Sequence, residues 1–444
     1  MDILILALMV LLGLYMAWNI GANDVANSMA DAVGSGALSV KQAVIAAGIC
    51  EFAGAVLVGS HVTDTIRKGI VDPSALASIP GMLEGEPAAL MVIGMSAALL
   101  SAALLAAAIW LNFATWTGMP VSTTHSIVGA IAGFGIVAAG IGSVNWGKMG
   151  QIVASWFISP FAGGLMAFII FKIISRLILG HHKPARAAIK ITPYIVFFLA
   201  MVVTLATIYK GLKHVLKGLD WLTDTHTLLF AFVISVISTI ISRLHVVKKL
   251  AGKETLPLAQ QLELVEEVYV PLVIISSCAV AFAHGANDVA NSVGPLAAVA
   301  NIFKTGTVEM KVPVPLWILV LGGCGIVLGL STYGYRVMAT VGTKITEITP
   351  TRGVAADIAA TATVLICTRM KLPVSTTHTL VGAIMGIGLA RGLAGNDSRI
   401  AKKIFKSWLI TVPAAAIVCI ILFLLGRAYL LDYVRELVLA ARVG

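Results

Sequence analysis

Two identical polar motifs interrupt apolar stretches of this sequence and carry groups that can bind a small cation. The run from Gly21 to Ser28 reads GANDVANS, and it recurs letter for letter from Gly285 to Ser292. Each copy supplies one carboxylate and two carboxamides, and the carboxamides lie four residues apart, on one helical face. The residues concerned are Asn23, Asp24 and Asn27 in the first copy and Asn287, Asp288 and Asn291 in the second.

The oxygen atoms of these groups suit a hard cation such as sodium, or a proton. Carboxylates, carboxamides and the carbonyls of a broken helix hold such ions in membrane transporters. The glycine that opens each copy, Gly21 or Gly285, weakens a helix at that point, so we expect an interrupted helix there. Polar groups at membrane depth are costly and usually face a functional cavity. The alternative is that they only join neighbouring helices by hydrogen bonds.

A second motif, PVSTTH, occupies residues 120–125 and 373–378. Its proline disfavours helix in the residue before it, and the hydroxyl residues that follow favour the start of a new helix. A helix start offers unpaired N–H groups and a partial positive charge, which suit an oxyanion. Simple helix capping is the alternative. The predicted anion pocket consists of Ser122, Thr123, Thr124, Ser375, Thr376 and Thr377, with Asp24 and Asp288 beside them.

Three further ionisable residues lie near these motifs. His125 and His378 end the two PVSTTH copies, and each can either contact the anion or orient a neighbouring helix. Glu51 stands in the apolar run GICEFAGAVLVG, and the matching position in the second half is Ile326. Because an unpaired carboxylate is costly in lipid, we expect Glu51 to face the interior as a cation ligand or proton acceptor.

The composition requires that most of the surface faces lipid. Hydrophobic residues make up 59% of the 444 residues and charged residues 12%, whereas soluble proteins average about a quarter charged residues. The net charge of +10 is concentrated in short loops, which indicates membrane orientation rather than nucleic-acid binding. By the length needed to cross a bilayer, we count about twelve candidate segments. They lie near 2–20, 40–60, 87–111, 126–142, 152–179, 193–209, 227–245, 269–284, 315–335, 354–368, 379–392 and 404–430.

The doubled motifs predict an all-α polytopic membrane protein that contains two repeats. The motifs recur in the same order with shifting spacing, 264 residues for GANDVANS and 253 for PVSTTH. We therefore expect a first repeat over 1–180, a connecting segment with additional membrane helices over 181–262, and a second repeat over 263–444. Broken half-helices of two such repeats commonly meet at a site near the membrane midplane.

Basic loops give an orientation and a location. The loops that begin at Arg176 and Arg243 carry more positive charge than the loop between them, which places both in the cytoplasm. We predict a multi-pass protein of the plasma or inner membrane, with the lipid bilayer as its surroundings. A homodimer is compatible with the sequence.

The two motifs, each present twice, resemble those of the inorganic phosphate transporter (PiT) family. The resemblance covers both halves outside the connecting segment near 181–262. It implies two inverted repeats and symport of inorganic phosphate with sodium or protons by alternating access. It also implies that the GANDVANS residues form the cation and substrate centre and that the PVSTTH hydroxyls line the phosphate pocket. No cofactor is expected other than the coupling ion, and no transition metal.

Three alternative functions would each require different features of the sequence or the substrate. Some relatives of the PiT family carry sulfate, so a sulfate or related oxyanion permease of the same fold is the nearest alternative. A membrane-embedded, metal-dependent phosphohydrolase would need an asymmetric nucleophile or metal cluster, whereas these polar elements are matched in pairs. A passive anion channel would not require Asp24 or Asp288. We therefore predict that the protein is not an enzyme.

Overall fold

The computed structural model describes residues 3–59, 70, 102–209, 223–305, 314–370, 374–392 and 395–443, and within these ranges the ordered elements are helices and not strands. The first part contains α1 (Ile3–Ile20), α2 (Ala26–Ser28), α3 (Ala30–Gly34), α4 (Val40–Val58), α5 (Ala102–Trp116), α6 (Thr123–Ala139) and α7 (Trp146–Ile174). Two helices follow in the connecting segment, α8 (Pro184–Thr207) and α9 (Asp224–Leu250). The remainder contains α10 (Leu258–Asp288), α11 (Ala290–Thr305), α12 (Leu316–Tyr333), α13 (Tyr335–Ala339), α14 (Pro350–Arg369), α15 (Thr376–Ala390) and α16 (Ser398–Val443).

Many of these helices are long and apolar enough to cross a membrane, which confirms the predicted all-α polytopic fold. Seven candidate spans are found in the described ranges, and each predicted segment overlaps one described helix. Residues 87–101 of the third predicted segment lie outside the described residues. The total of about twelve crossings and the boundaries 1–180, 181–262 and 263–444 remain predictions. The seven spans are Val40–Leu57, Trp146–Leu179, Pro184–Thr207, Asp224–Leu250, Leu258–Gly294, Leu316–Tyr333 and Ser398–Glu436.

The helices that follow the PVSTTH motifs are short. Helix α6 has 17 residues and α15 has 15, which corresponds to about 26 and 22 Å at 1.5 Å per residue. A hydrocarbon core is about 30 Å thick. Helices of this length can therefore begin inside the membrane.

Helices of the first half pack on helices of the second half, and equivalent helices of the two repeats make equivalent contacts. Helix α1 packs on α12, while α4 packs on α10; likewise α6 packs on α16, while α7 packs on α15. The backbones approach so closely that a Cβ on Gly21 would lie 1.9 Å from the Ile326 carbonyl oxygen, and one on Gly285 would lie 2.3 Å from the Glu51 carbonyl oxygen. These two contacts join positions that match between the sequence repeats.

The two motif glycines therefore act differently from the prediction. Gly285 lies inside α10, and Gly21 opens a π-helical segment, Gly21–Val25, that continues from α1. The expectation of an interrupted helix was wrong at Gly285, whereas at Gly21 the α-helix ends and a π-helical segment begins. At both positions the missing side chain permits the close approach of two backbones. The first copy is interrupted further on, at Met29, whose φ of −111° and ψ of 2° separate α2 from α3, whereas Val289, between α10 and α11, keeps a helical φ of −55° and ψ of −32°.

Replacement of Gly285 by alanine tests the close packing. The added methyl group would meet the backbone of α4 at 2.3 Å, so the two helices must separate. Overpacking of this kind costs about 1–3 kcal/mol. Thermal unfolding of the purified protein should show a clear decrease in midpoint for Gly285→Ala. The matched control is Gly142→Ala, where a Cβ would meet nothing within 4 Å; equal midpoints for the two variants would contradict the packing argument.

Candidate functional site

The first GANDVANS copy is joined to the first PVSTTH copy by Asn23. Its Nδ2 donates to Thr115 Oγ1 at 2.9 Å and to the Met119 carbonyl at 3.0 Å, and its Oδ1 accepts from Val121 N at 3.0 Å. Asn23 is fully buried. It therefore provides hydrogen bonds to backbone groups between α5 and α6, which lack the hydrogen bonds of a regular helix. These contacts hold the start of α6 beside the first motif.

Asp24 lies at the start of α6 and also contacts α15. Its Oδ2 accepts from Thr123 N at 3.2 Å, and its Oδ1 accepts from Thr377 Oγ1 at 2.8 Å. Thr377 also receives a hydrogen bond from Asn27 Nδ2 at 3.3 Å. A carboxylate of the protein thus uses the helix-start donors that the sequence assigns to an oxyanion.

The second copy also contacts both helix starts, α6 through Asn291 and α15 through Asp288. Asn291 Nδ2 donates to Thr124 Oγ1, and Thr376 Oγ1 donates to Asp288 Oδ2, both at 3.5 Å. Asn287 Nδ2 donates to Asp288 Oδ1 at 2.8 Å. The Asn27–Thr377 and Asn291–Thr124 contacts join equivalent positions of the repeats. The structure therefore brings both GANDVANS copies and both helix starts into one place.

Two carboxamide oxygens in this place have no donor. Asn27 Oδ1 and Asn291 Oδ1 are buried without a hydrogen-bond partner, and both belong to positions that the sequence assigns to cation binding. A buried acceptor without a donor costs about 1–3 kcal/mol. Oxygen atoms in this condition are suitable ligands for a sodium ion.

His284 is a member of the site that the sequence analysis did not identify. Its Nε2 lies 2.6 Å from Asp288 Oδ2, and its Nδ1 lies 3.0 Å from Glu51 Oε1. An imidazolium can donate to both carboxylates at once, whereas a neutral ring can donate only from one nitrogen. The sequence contained one signal for His284. It immediately precedes the second GANDVANS copy, whereas the equivalent residue before the first copy is Ile20, so the repeats differ at this position.

Glu51 is fully buried and faces the interior, as the sequence predicts. One ligand atom from each of Asp24, His284 and Asp288 lies within 4.8 Å of the others. The Glu51–His284 pair has no ionisable equivalent in the other half, where Ile326 and Ile20 occupy the matching positions. The site therefore combines a two-fold arrangement of motifs with one asymmetric ion pair.

A small cavity opens beside Asp24 and His284. It has a volume of about 40 Å³ and is lined by Asp24, Asn27, His284, Thr361, Thr376 and Thr377, together with apolar residues. A water molecule needs about 10–15 Å³ on this scale, so there is room for roughly three. Hydroxyl, carboxylate, carboxamide and imidazole groups thus face a common space.

Other members of the PVSTTH motifs have structural roles. Ser122 Oγ accepts from His125 N at 3.3 Å, and Ser375 Oγ accepts from His378 N at 3.2 Å. These are N-cap hydrogen bonds, the alternative that the sequence left open. His125 and His378 pack edge to face at 4.8 Å between ring centroids, and His378 stacks on Trp408 at 3.9 Å. This packing favours an orienting role for the two histidines.

A bundle of membrane-length helices around buried carboxylates and broken helix starts defines the class of secondary transporters. The sequence pattern of the phosphate transporter family matches residues 20–419. The chain belongs to this family.

Relatives from distant organisms match over most of the chain. A Pyrococcus abyssi protein named as a phosphate permease is 46% identical over 418 residues, which cover 94% of this chain and 97% of that protein. The inorganic phosphate transporter 2-1 of Arabidopsis thaliana, chloroplastic by name, is 41% identical over 430 residues, covering 93% of this chain and 70% of the relative. A solved structure of a sodium-dependent phosphate transporter superposes with a TM-score of 0.80 at 39% identity, covering 96% and 99% of the two chains.

A double-mutant cycle measures the Glu51–His284 interaction. Either single variant, Glu51→Gln or His284→Gln, leaves a buried charge with fewer partners, which destabilises proteins by about 3–5 kcal/mol. The double variant should lose less than the sum of the two, with a coupling of about 1–3 kcal/mol in chemical or thermal unfolding. The exposed pair Lys249–Glu267, at 3.3 Å, is the control and should couple by less than about 1 kcal/mol. Additive single effects at Glu51 and His284 would contradict a paired buried charge.

Proposed function

We propose that this protein carries inorganic phosphate across the membrane together with sodium ions, by alternating access. The observation that carries the proposal is the convergence of Asp24 and Asp288, from the two motif copies, on adjacent threonine hydroxyls at the start of α15, while Asp24 also accepts from Thr123 N at the start of α6. Membership in the phosphate transporter family supports phosphate as the substrate. The likeness to a sodium-dependent phosphate transporter supports sodium rather than a proton as the coupling ion.

The residues divide into two overlapping sets. The proposed cation ligands are the oxygen-bearing side chains of the GANDVANS motifs and Glu51, namely Asn23, Asp24, Asn27, Asn287, Asp288, Asn291 and Glu51. The proposed phosphate contacts are Ser122, Thr123, Thr124, Ser375, Thr376, Thr377, Asp24 and Asp288. Within the second set, Ser122 and Ser375 act by capping helices, and the threonines supply hydroxyl donors. His284 joins the site as a positive partner for Glu51 and Asp288.

Asp24 and phosphate compete for the same hydrogen-bond donors, and this competition couples cation binding to phosphate binding. Asp24 already occupies Thr123 N and Thr377 Oγ1, the donors that an oxyanion would use. A sodium ion that binds Asp24 and the free oxygen of Asn27 draws the carboxylate toward itself and releases those donors. Phosphate then takes them. Because the cavity has room for roughly three water molecules, a phosphate ion with five heavy atoms also requires this rearrangement.

Electrostatics gives the order of binding. Asp24, Asp288 and Glu51 together carry three negative charges when ionised, and His284 can neutralise one of them. Two unit charges about 4 Å apart interact by about 4 kcal/mol near a protein surface. A phosphate anion is therefore repelled until cations have bound, so the cation binds first. Rocking of one repeat against the other then exposes the loaded site to the opposite side.

Two alternatives make contrary predictions about the same residues. A sulfate permease would use the same helix starts, and its carboxylates would have no protonated substrate oxygen to accept from. A metal-dependent phosphohydrolase would turn over phosphate esters and lose activity with a chelator. The matched pairs of motifs and the family relationship favour transport over either alternative.

We place the protein in the plasma or inner membrane, with the loops that begin at Arg176 and Arg243 on the cytoplasmic side. The chloroplast relative shows that the family is not restricted to one membrane. The homodimer stays a prediction.

Neutralisation of either motif aspartate tests the coupling role. Asp24→Asn and Asp288→Asn each remove a cation ligand and a charged hydrogen-bond acceptor worth about 1.5–3 kcal/mol. Labelled-phosphate uptake into proteoliposomes should fall about tenfold or more in each variant. Asp397→Asn, in a half-exposed loop position, is the matched control and should transport like the parent protein. Unchanged rate and unchanged sodium dependence in both motif variants would rule out the assignment.

Separate gradients identify the coupling ion and the anion. In the same proteoliposomes, an inward sodium gradient should drive phosphate accumulation when the proton gradient is collapsed, and a proton gradient alone should not. Excess sulfate should leave the rate nearly unchanged, because the carboxylates favour a substrate that keeps a proton. Strong competition by sulfate would favour the oxyanion permease, and accumulation without any cation gradient would favour a channel.

A further inference from the structure

A second pair of buried carboxyl groups lies outside the site described above. Asp31 on α3 and Asp357 on α14 are fully buried, and one serine hydroxyl, Ser277 Oγ, lies within hydrogen-bonding distance of both carboxyl groups. Two consecutive serines of α10 hold the pair. Ser276 Oγ donates to Asp357 Oδ2 at 2.5 Å, and Ser277 Oγ lies 3.1 Å from Asp31 Oδ1 and 3.2 Å from Asp357 Oδ2.

In each of the two carboxyl groups, one oxygen atom has no hydrogen-bond donor. Asp31 Oδ2 and Asp357 Oδ1 are buried without any other partner, and within the described ranges neither carboxyl forms a salt bridge. Two ionised carboxylates in contact at a buried position repel each other strongly. A bound positive charge must therefore compensate them, either a shared proton or another cation.

The titratable groups on the neighbouring elements are engaged elsewhere. On α10, Tyr269 pairs with Thr192, and His284 contacts Glu51 and Asp288. On α15, which packs on α14, His378 stacks on Trp408. In another π-helical segment, Thr340–Lys344, which packs on α3, Lys344 is exposed. Glu266 of α10 accepts from Thr351, and Arg352 of α14 donates to Glu347. Three basic residues of α7 and α8, the helices packed against α14, are exposed, namely Lys172, Arg186 and Lys190. None of these groups is hydrogen-bonded to Asp31 or Asp357, so the charge of the pair depends on the pair itself.

A lateral cavity reaches Ser276, one of the two serines that hold the pair. It has a volume of about 470 Å³, lies between α8, α9 and α10, and is lined by Thr204, Ser238, Ser242, His245 and Ser276 among apolar residues. Ser276 is the donor to Asp357. On the other side, Ser28 and Thr361 line the central cavity, and each lies about one helical turn along the chain from Asp31 or Asp357. The pair therefore lies close to residues that line each of the two cavities.

The pair is also a single-copy feature. At the offsets that relate the repeats, Pro295 corresponds to Asp31 and Leu104 corresponds to Asp357. The substrate motifs are present twice, whereas these carboxyls are present once. A role outside symmetric substrate binding is therefore indicated.

We propose that Asp31 and Asp357 form a binding site for one proton, which exchanges with the solution through the lateral cavity. Two buried carboxyl groups that share the Ser277 hydroxyl can hold one proton between them, and both serine hydroxyls lie within hydrogen-bonding distance of the pair. With one proton bound, the pair carries one negative charge. Release of that proton along Ser276 to water in the cavity leaves two negative charges, whose repulsion separates α3 from α14 next to the central cavity. The residues therefore make the conformational equilibrium of the site respond to pH.

Infrared spectroscopy of the purified protein tests the bound proton directly, without reference to transport. Over a pH titration, the parent protein should show a carboxylic-acid C=O band that disappears as the pH rises. Asp357→Asn should lose this band, because an amide N–H takes the place of the shared proton and keeps the packing. Asp31→Asn provides a second variant if the first does not fold, and thermal unfolding checks both. Asp397→Asn is the control and should retain the band.

Three outcomes would overturn the proposal. The band could be absent from the parent protein, it could persist in both folded variants, or sodium alone at constant pH could remove it, which would assign the pair to sodium instead.

The consequence for transport, which rests on the proposed function, is measured in proteoliposomes under a fixed sodium gradient. There the change in uptake rate with pH on the cytoplasmic side should disappear in Asp357→Asn. Absence of phosphate uptake by the parent protein would refute the proposed function and leave the infrared result standing.

Discussion

The arrangement of the site depends on carboxylates that occupy the donors of helix starts inside a membrane. A helix that begins at mid-membrane exposes N–H groups that lipid cannot satisfy. In this protein, Asp24 satisfies the start of α6 through Thr123 N and contacts Thr377 of α15. The donors are therefore hydrogen-bonded to a side chain that can release them. The same donors can serve an oxyanion once a cation compensates the aspartate.

Close helix packing is the second requirement, because the motifs must meet across the two halves of the chain. Hydrophobic attraction between helices is absent in lipid, so small residues and close backbone approach provide much of the association. Gly21 against Ile326 and Gly285 against Glu51 show this approach at matching places. Asp24 and Asp288 follow these glycines by three residues each, so the contacts help to bring the two aspartates together. An asymmetric pair, Glu51 with His284, then lies on one side of an otherwise two-fold site.

The sequence predicted the helical fold, the positions of the apolar segments and the meeting of the doubled motifs, because repetition and hydropathy are visible in the letters. It did not predict that the motif glycines remain helical, since a glycine that breaks a helix and one that admits a neighbouring backbone look alike in sequence. His284 was missed for a related reason. Its partner Glu51 lies 233 positions away along the chain, and only the structure brings the two together. The same holds for Asp31 and Asp357, whose contact joins elements of both halves.

Equilibrium binding of phosphate to the purified protein, measured with and without sodium at constant pH, tests most directly whether cation binding releases the helix-start donors. If the carboxylates compete with phosphate, its affinity should rise steeply as sodium is added and should be very low without it. An affinity that is the same in the presence and absence of sodium would contradict the account.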